Sequence, residues 1–448
     1  MPCARRYYLS SMAAAAEPRP VLSQAANLET LPSSAREFDL LVACCADSTA
    51  EHADRIRHFL SGQVDWERLL ALVDHHRVVP QAYAALTAVA HLIPAQPLDG
   101  IRSRYRDNAR KALWFTAELR RILHHLESAG IKALPYKGPA LAEALYGEVT
   151  QRQFGDLDIL ILPEDVPKAR AALLDLGYKP GTALAPIAGR ADIEKAYIKS
   201  GYEYSFSAAQ GPNLLELQWR IVPRFYCMDL DVADLFARAV LLENSREAAP
   251  EYSPRRKPWV ETDTLPSASG AKDQARKTLP RTLRPEDLLL ALCIHAAKHV
   301  WVQLSWLCDI AQLVKSRQLD WNAIQDEARR LGIERIVSLN LLLAHKLLGV
   351  AVPPTIQKRV QEDPSTTILA AEILRILESS VQYDTESIPY FRLMMRLRER
   401  WQDQARFLWR LASTPSPSEW SAIQFPKLLH PLYRLVRLSR LAKRLASG

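Results

Sequence analysis

This sequence predicts an α+β, mostly helical fold: a small mixed β-sheet core flanked by N- and C-terminal helical domains. Three observations carry that prediction. Apolar residues recur at spacings of three and four across residues 37–129 and again across 285–390, as in helices with one buried face. Between 130 and 222 the period changes to short apolar runs bounded by Gly and Pro, as strands are. Residues 248–284 collect Pro250, Pro254, Pro258, Pro266 and Pro280 among Ser, Lys, Arg and Asp, the composition of a linker.

In chain order, residues 1–36 read as a disordered tail, with Met12 as an alternative start. Arg5-Arg6 ahead of an alanine run resembles a twin-arginine export signal, but Glu17 and Pro18 cut the apolar region too short. Helices are predicted over 38–45, 51–60, 66–75, 79–90 and 101–128. Gly130 closes the last of them, and a short strand follows over 131–134. A second strand over 157–162 stops at Pro163, and a helix over 165–176 stops at Gly177. Strands over 202–207 and 214–221 are separated by the turn residues Gln210, Gly211, Pro212 and Asn213. This α/β unit extends over 130–247. Beyond the linker, helices are expected over 286–299, 301–315, 321–331, 334–348 and 366–380. Residues 391–448 complete the chain as a basic amphipathic tail.

With 48% hydrophobic and 24% charged residues in 448, the balance is that of a globular protein, which excludes the disordered and fibrous classes. The net charge of +8 is local. Residues 391–448 hold 12 Lys plus Arg against 3 Asp plus Glu, leaving the remainder near neutrality. On a helical wheel Leu432, Leu435, Val436, Leu438 and Leu445 share one side of the tail, and Arg434, Arg437, Arg440 and Arg444 the other. Such a helix either docks its apolar side on the body or lies on an anionic membrane surface. No sequence-reading motif accompanies the charge, so sequence-specific nucleic-acid binding is not expected. Cys3, Cys44, Cys45, Cys227, Cys293 and Cys308 include no CxxC pair, which points to a reduced, cytoplasmic protein. No apolar run reaches the roughly twenty residues that a membrane span requires.

The sharpest motif is Phe154-Gly155-Asp156-Leu157-Asp158-Ile159. Two Asp at i and i+2 on a strand project from the same face and can reach one site, while Leu157, Ile159 and Ile161 point the other way. Side-by-side carboxylates repel each other, and a divalent cation relieves the repulsion; oxygen ligands on a rigid strand suit Mg²⁺ with substrate phosphates. The plainer reading is a pair of solvated acids at a strand edge. Upstream, Tyr136-Lys137-Gly138-Pro139 joins a strand to a helix, with Pro139 at its first position. The glycine permits close backbone approach, and free amides with Lys137 would favour a phosphate. A third acid, Glu216, lies in Leu215-Glu216-Leu217-Gln218-Trp219, where Glu216 and Gln218 share a face. Three acids on neighbouring strands after such a turn match a two-metal phosphoryl-transfer layout.

These residues resemble the nucleotidyltransferase superfamily with the DNA polymerase β-type fold. More narrowly, the chain is similar to the bacterial family called uncharacterised nucleotidyltransferase, or nucleotidyltransferase family 5. The resemblance runs through Lys137-Gly138, Leu141, Leu145-Tyr146, Arg152, Gly155 to Ile161, Leu173, Gly177-Tyr178 and Leu215 to Arg220. It resumes at Pro285 to Leu289, His295, Lys298-His299, Trp306 and Asp309. It implies Asp156, Asp158 and Glu216 as catalytic and metal-binding acids, with Mg²⁺ as cofactor and a nucleoside triphosphate as co-substrate. Lys137, Gly138 and Arg152 become the candidate nucleotide-binding residues. Two departures stand out: Pro139 replaces a usual serine, and Gln218 replaces a usual histidine. They motivate a second reading, a degenerate fold that binds nucleotide without turning it over.

His295-Ala296-Ala297-Lys298-His299 places two His on one helical face, as in a zinc protease. Ala296 stands where that chemistry needs a Glu, so zinc hydrolysis is not expected. Asp309 can pair with one of the histidines and fix its tautomer, and a structural pair packing the helical domain on the α/β unit stands level with a substrate-binding role. His295, Lys298, His299 and Asp309 together form the candidate acceptor pocket. The acceptor, a small molecule or a protein, is not named by the sequence.

Overall fold

Alternating apolar and polar side chains build the centre of the chain into one mixed sheet. The computed structural model describes residues 35–46, 50–181, 190–208, 214–242, 280–379, 387–415, 419–420 and 425–447. Strands β1 (Ala133–Pro135), β2 (Leu157–Ile161), β3 (Tyr178–Pro180), β4 (Glu203–Ala208) and β5 (Leu214–Gln218) lie in the order β1-β2-β5-β4-β3. β2 and β5 are parallel and the other pairs antiparallel. A two-stranded ribbon, β6 (Val240–Leu241) with β7 (Arg281–Thr282), completes the strands among the described residues.

Helices supply the rest, so the fold is α+β and mostly helical. Before the sheet come α1 (Ala35–Cys45), α2 (Ala50–Leu60), α3 (Trp66–His75), α4 (Val79–Ala88) and α5 (Ala95–Ser128). Within the sheet region lie α6 (Gly138–Tyr146), α7 (Val166–Asp175), α8 (Ala191–Ser200) and α9 (Val232–Arg238). After it follow α10 (Pro285–Lys298), α11 (Leu304–Ser316), α12 (Trp321–Leu331), α13 (Glu334–Leu348), α14 (Pro354–Glu362) and α15 (Pro364–Ser379). The chain continues through α16 (Ile388–Arg396), α17 (Trp401–Ser413) and α18 (Tyr433–Ser447).

Two apolar cores position everything else. One face of the sheet, with Ile159, Leu217 and Phe206, packs on Phe115, Leu119 and Ile122 of α5 and on Leu173 of α7. The second core merges helices from both ends of the chain, joining Leu69 and Val73 of α3 to Leu289 of α10 and Leu307 of α11. Each such Leu or Ile contributes about 1.5–3 kcal/mol on full burial. α5, about 50 Å long, joins the two: Leu98 and Ile101 belong to the helical core and Leu119 to the sheet core. α6 lies between them, with Leu141 and Leu145 on one side and Ala140 and Ala144 on the other.

Several boundaries differ from the sequence reading for identifiable reasons. α5 starts before residue 101 because Pro97 falls in its first turn, where the missing N–H has no helical partner to lose. The helix expected over 301–315 begins only at Leu304, since Val300 and Trp301 take left-handed φ of 57° and 50°. That conformation costs about 1–2 kcal/mol per residue; here it seats the Trp301 indole, whose N–H donates to Asn340 Oδ1 at 2.7 Å. α1 begins at Ala35, inside the stretch read as a tail, and Arg281 and Thr282 of the stretch read as a linker form β7. Residues 1–34, 248–279 and the turn at 210–213 lie outside the described residues.

Of the two dispositions expected of the tail, docking of its leucine side on the body is not what the fold shows. In α18 Arg437 is buried, whereas Leu435 and Leu438 face solvent. Arg437 is drawn inward by the fully buried Glu419, 3.5 Å away. The wheel groups the residues but does not say which group faces in.

His76 ties the two helical ends together. Its Nδ1 accepts the backbone N–H of Leu304 at 3.2 Å, and its carbonyl accepts that of Ser305 at 3.2 Å. Burial and the adjacent His75 lower its proton affinity from 6.5 to about 3. The folded protein therefore excludes a proton that the unfolded chain accepts below pH 6.5, and the stability held above that pH is lost as pH falls toward 3. We expect wild type to lose on the order of 2 kcal/mol at pH 5 relative to neutral pH through this group. Urea titrations of wild type and His76→Gln across that range check it; equal acid slopes in both would exclude the assignment.

Candidate active site

The turn from β1 into α6 brings a buried lysine onto the sheet. Gly138 takes φ +56°, and a Cβ there would stand 3.1 Å from the carbonyl oxygen of Asp156. The close approach that needs a glycine is thus to the entry of β2. This seats Lys137, whose Nζ donates to Asp158 Oδ1 at 2.9 Å with both side chains buried. Burial alone would lower the ammonium's proton affinity, but Asp158, Tyr136 and Glu216 outweigh it, so Lys137 is held charged above its ordinary range. α6 is clamped at its other end, where Gln312 and Arg317 donate to the carbonyls of Leu145 and Ala144 at 3.0 and 2.9 Å.

Asp158 and Glu216 stand opposite each other in the β2–β5 register. Asp156 precedes Asp158 by two residues and extends the same face toward solvent. Gln218 connects the acids: its Nε2 donates to Asp158 Oδ1 at 3.1 Å and Glu216 Oε2 at 2.9 Å, while its Oε1 accepts the Tyr136 hydroxyl at 2.5 Å. Glu203 faces Gln218 across β4 and β5, with Oε2 3.5 Å from the same amide. Burial, then Glu203 and Asp158, push Glu216 up to about 9, and burial with Asp158 raises Asp156. Four carboxyl groups therefore share one sheet face, and Lys137 is the cation hydrogen-bonded to them among the described residues.

The helical body closes over this face. His295 and His299 of α10 lie with ring centroids 4.6 Å apart, both packed on Trp306. Burial lowers both well below the usual range; Lys137 and His299 add to the effect on His295, as Lys298 and Lys137 do on His299. Both shifts favour the neutral imidazole. Lys298 Nζ donates to the Tyr202 hydroxyl at 3.3 Å and sits 4.7 Å over that ring.

Two expectations are corrected here. Asp309 pairs with neither histidine. It is buried and takes a two-pronged contact from Arg152, Nε to Oδ1 at 2.9 Å and Nη2 to Oδ2 at 2.8 Å, plus the Tyr146 hydroxyl at 3.0 Å. Planar guanidinium and carboxylate match in shape, which a ring nitrogen cannot. Arg152 is accordingly committed to a structural brace between the β2 approach and α11, and Asp309, 1% exposed, is out of an acceptor's reach.

The sequence reading missed Glu203 and Arg77. Alternation in Tyr202-Glu203-Tyr204-Ser205-Phe206 would have placed Glu203 on the polar face. No local pattern marks Arg77. It is exposed in the turn after α3 with φ 53°, and its charge acts on Asp156 and His299.

A family model described as uncharacterised nucleotidyltransferase matches residues 62–349, more than half of the chain. The chain belongs to that family. Membership gives it a general role in nucleotidyl transfer. No curated protein and no solved structure matches it significantly. The matched range contains the whole sheet, the acids and the α10–α11 histidine cluster.

Among the described residues no group of three or more His, Cys, Asp or Glu side chains stands close enough to enclose a metal ion. The Lys137 ammonium and the Gln218 amide stand among the acids instead. The carboxylate oxygens are of the kind a hard divalent cation takes, and burial, with neighbouring acids adding to it, raises Asp156 and Glu216.

The Arg152–Asp309 brace makes a direct prediction. Asp309→Ala leaves a buried guanidinium without its partner and should lower unfolding stability by about 3–5 kcal/mol. Urea unfolding measures this, and a loss below about 1 kcal/mol would mean the pair is not a brace.

Proposed function

We propose that the protein is a Mg²⁺-dependent nucleotidyltransferase that moves a nucleoside monophosphate from a nucleoside triphosphate to a hydroxyl-bearing acceptor. Family membership supports the reaction class, and the register pairing of Asp158 with Glu216 beside Asp156 is the observation that carries the site assignment. In this reading the acceptor oxygen bonds to the α-phosphorus as the bond to the α–β bridging oxygen breaks. Pyrophosphate leaves with that electron pair, and the acceptor proton passes to the carboxylate form of Glu216.

Asp156, Asp158 and Glu216 would hold Mg²⁺, which when bound supplies charge stabilisation at the transferred phosphoryl group. Lys137, fixed in its charged form, faces the phosphates from the β1–α6 turn. Arg77, whose charge acts on Asp156, would add a second cation from the turn after α3, in a backbone conformation usually left to glycine. Neutral His295 and His299 with Lys298 would receive the acceptor, since a neutral imidazole can accept a hydroxyl hydrogen bond. A reducing, cytoplasmic setting, expected from cysteines that include no CxxC pair, belongs to the same reading.

The Gln218 bridge also motivates the second reading, nucleotide binding without turnover, because protein groups already satisfy Asp158. Incubation with α-phosphate-labelled triphosphates, Mg²⁺ and cell extract separates the two. Transfer of label, abolished in Asp156→Asn and in Asp158→Asn with unchanged circular dichroism, is the expected result. Undiminished labelling by either variant would remove these acids from the chemistry, and triphosphate binding with no pyrophosphate release would favour the binding reading. Arg77→Ala should weaken triphosphate binding about tenfold, near 1.4 kcal/mol, with Arg77→Lys intermediate in calorimetric titration. Wild-type affinity in Arg77→Ala would exclude its phosphate role.

A further inference from the structure

The C-terminal helices carry an apolar surface that the body does not cover. In α17 Phe407 and Leu411 are buried while Trp401, Leu408 and Trp409 are 73%, 50% and 71% exposed. In the turn before α18 and in α18 itself, Leu429, Leu432, Leu435 and Leu438 recur every third residue and are all exposed. The two helices pack together, with Arg437 Nε donating to the Leu411 carbonyl at 3.3 Å. Large apolar side chains left exposed on two helices packed together mark an interaction surface.

Charge decides the partner. Residues 391–448 hold 12 basic and 3 acidic side chains, and all three acids are already paired, Glu399 with Arg359 of the body. Glu419 is buried against Arg437 and Arg440, and Asp403 is held by Arg400 and Arg406. Arg434 and Arg406 are exposed beside the leucines and tryptophans. Among the described residues no helix is long and apolar enough to cross a membrane. Tryptophan and leucine beside outward arginine suit the boundary between lipid headgroups and acyl chains.

We propose that the α17–α18 face docks on an anionic phospholipid surface, inserting Trp401, Trp409, Leu435 and Leu438 while the arginines meet lipid phosphates. The inference does not depend on the catalytic reading. Full-length protein should sediment with vesicles of phosphatidylcholine and phosphatidylserine in equal parts, and much less with phosphatidylcholine alone or at high salt. Its tryptophan emission should shift to the blue on the anionic vesicles. A variant carrying Trp401→Gln, Trp409→Gln, Leu435→Gln and Leu438→Gln changes exposed positions only, so its thermal unfolding should match wild type while vesicle binding falls at least about tenfold. Equal sedimentation of variant and wild type, or no binding by wild type, overturns the proposal. So does a wild-type dimer in sedimentation velocity that the same substitutions dissociate without any vesicle binding, since the face then belongs to a second copy of the chain.

Discussion

Crowding of carboxylates on one sheet face is the constraint from which the local architecture follows. Pairing β2 with β5 in parallel sets Asp158 against Glu216, and burial makes their mutual repulsion costly. The protein answers with groups of its own. Lys137 brings a positive charge to Asp158, and the Gln218 amide bridges Asp158 and Glu216 while Tyr136 satisfies its carbonyl. These groups reach the acids only if the chain turns sharply after β1, which places Gly138 against the Asp156 carbonyl with left-handed φ. The glycine, the lysine and the two strands form one arrangement, and none of its parts is explained alone.

The surrounding helices hold that arrangement still. α6 is fixed at its C-terminal carbonyls by Gln312 and Arg317 of α11, and the loop behind it is fixed by Arg152 on Asp309 of the same helix. α11 is in turn tied at its first residues to His76, at the end of α3. The sheet therefore meets the histidine cluster through contacts made by three separate stretches of chain. A site on such a frame is pre-positioned, which is the condition for electrostatic work in a water-poor pocket.

The sequence made one layer of this readable. Period-two spacing put Asp156 with Asp158, and Glu216 with Gln218, on common faces, and helix periodicity located α3, α12 and α13 to the residue. Which strands are neighbours is not periodic information: β2 and β5 are separated by α7, β3, α8 and β4, so their register exists only in the folded chain. The Arg152–Asp309 pair spans 157 positions, and local spacing offered Asp309 a histidine instead. Arg77 looked like any surface arginine, because its backbone angle and its proximity to Asp156 are three-dimensional facts. The tail is a different case. Its grouping was legible, but the direction was decided by Glu419, whose burial pulls in an arginine from the side that a wheel assigns to solvent.

The way the acids are compensated bears on how the proposed co-substrates would bind. Lys137 and Gln218 satisfy Asp158 in the protein itself, so a cation arriving alone displaces existing hydrogen bonds and gains less than it would on bare carboxylates. A triphosphate arriving alone meets the charges of Lys137 and Arg77 but also four acids. In the proposed reaction the two would remove each other's penalty, because phosphates would give Lys137 a new partner while the carboxylates held the cation. By linkage each must then raise the affinity for the other by the same factor. Gln218 fits that scheme, since an amide can bridge two carboxylates and still yield.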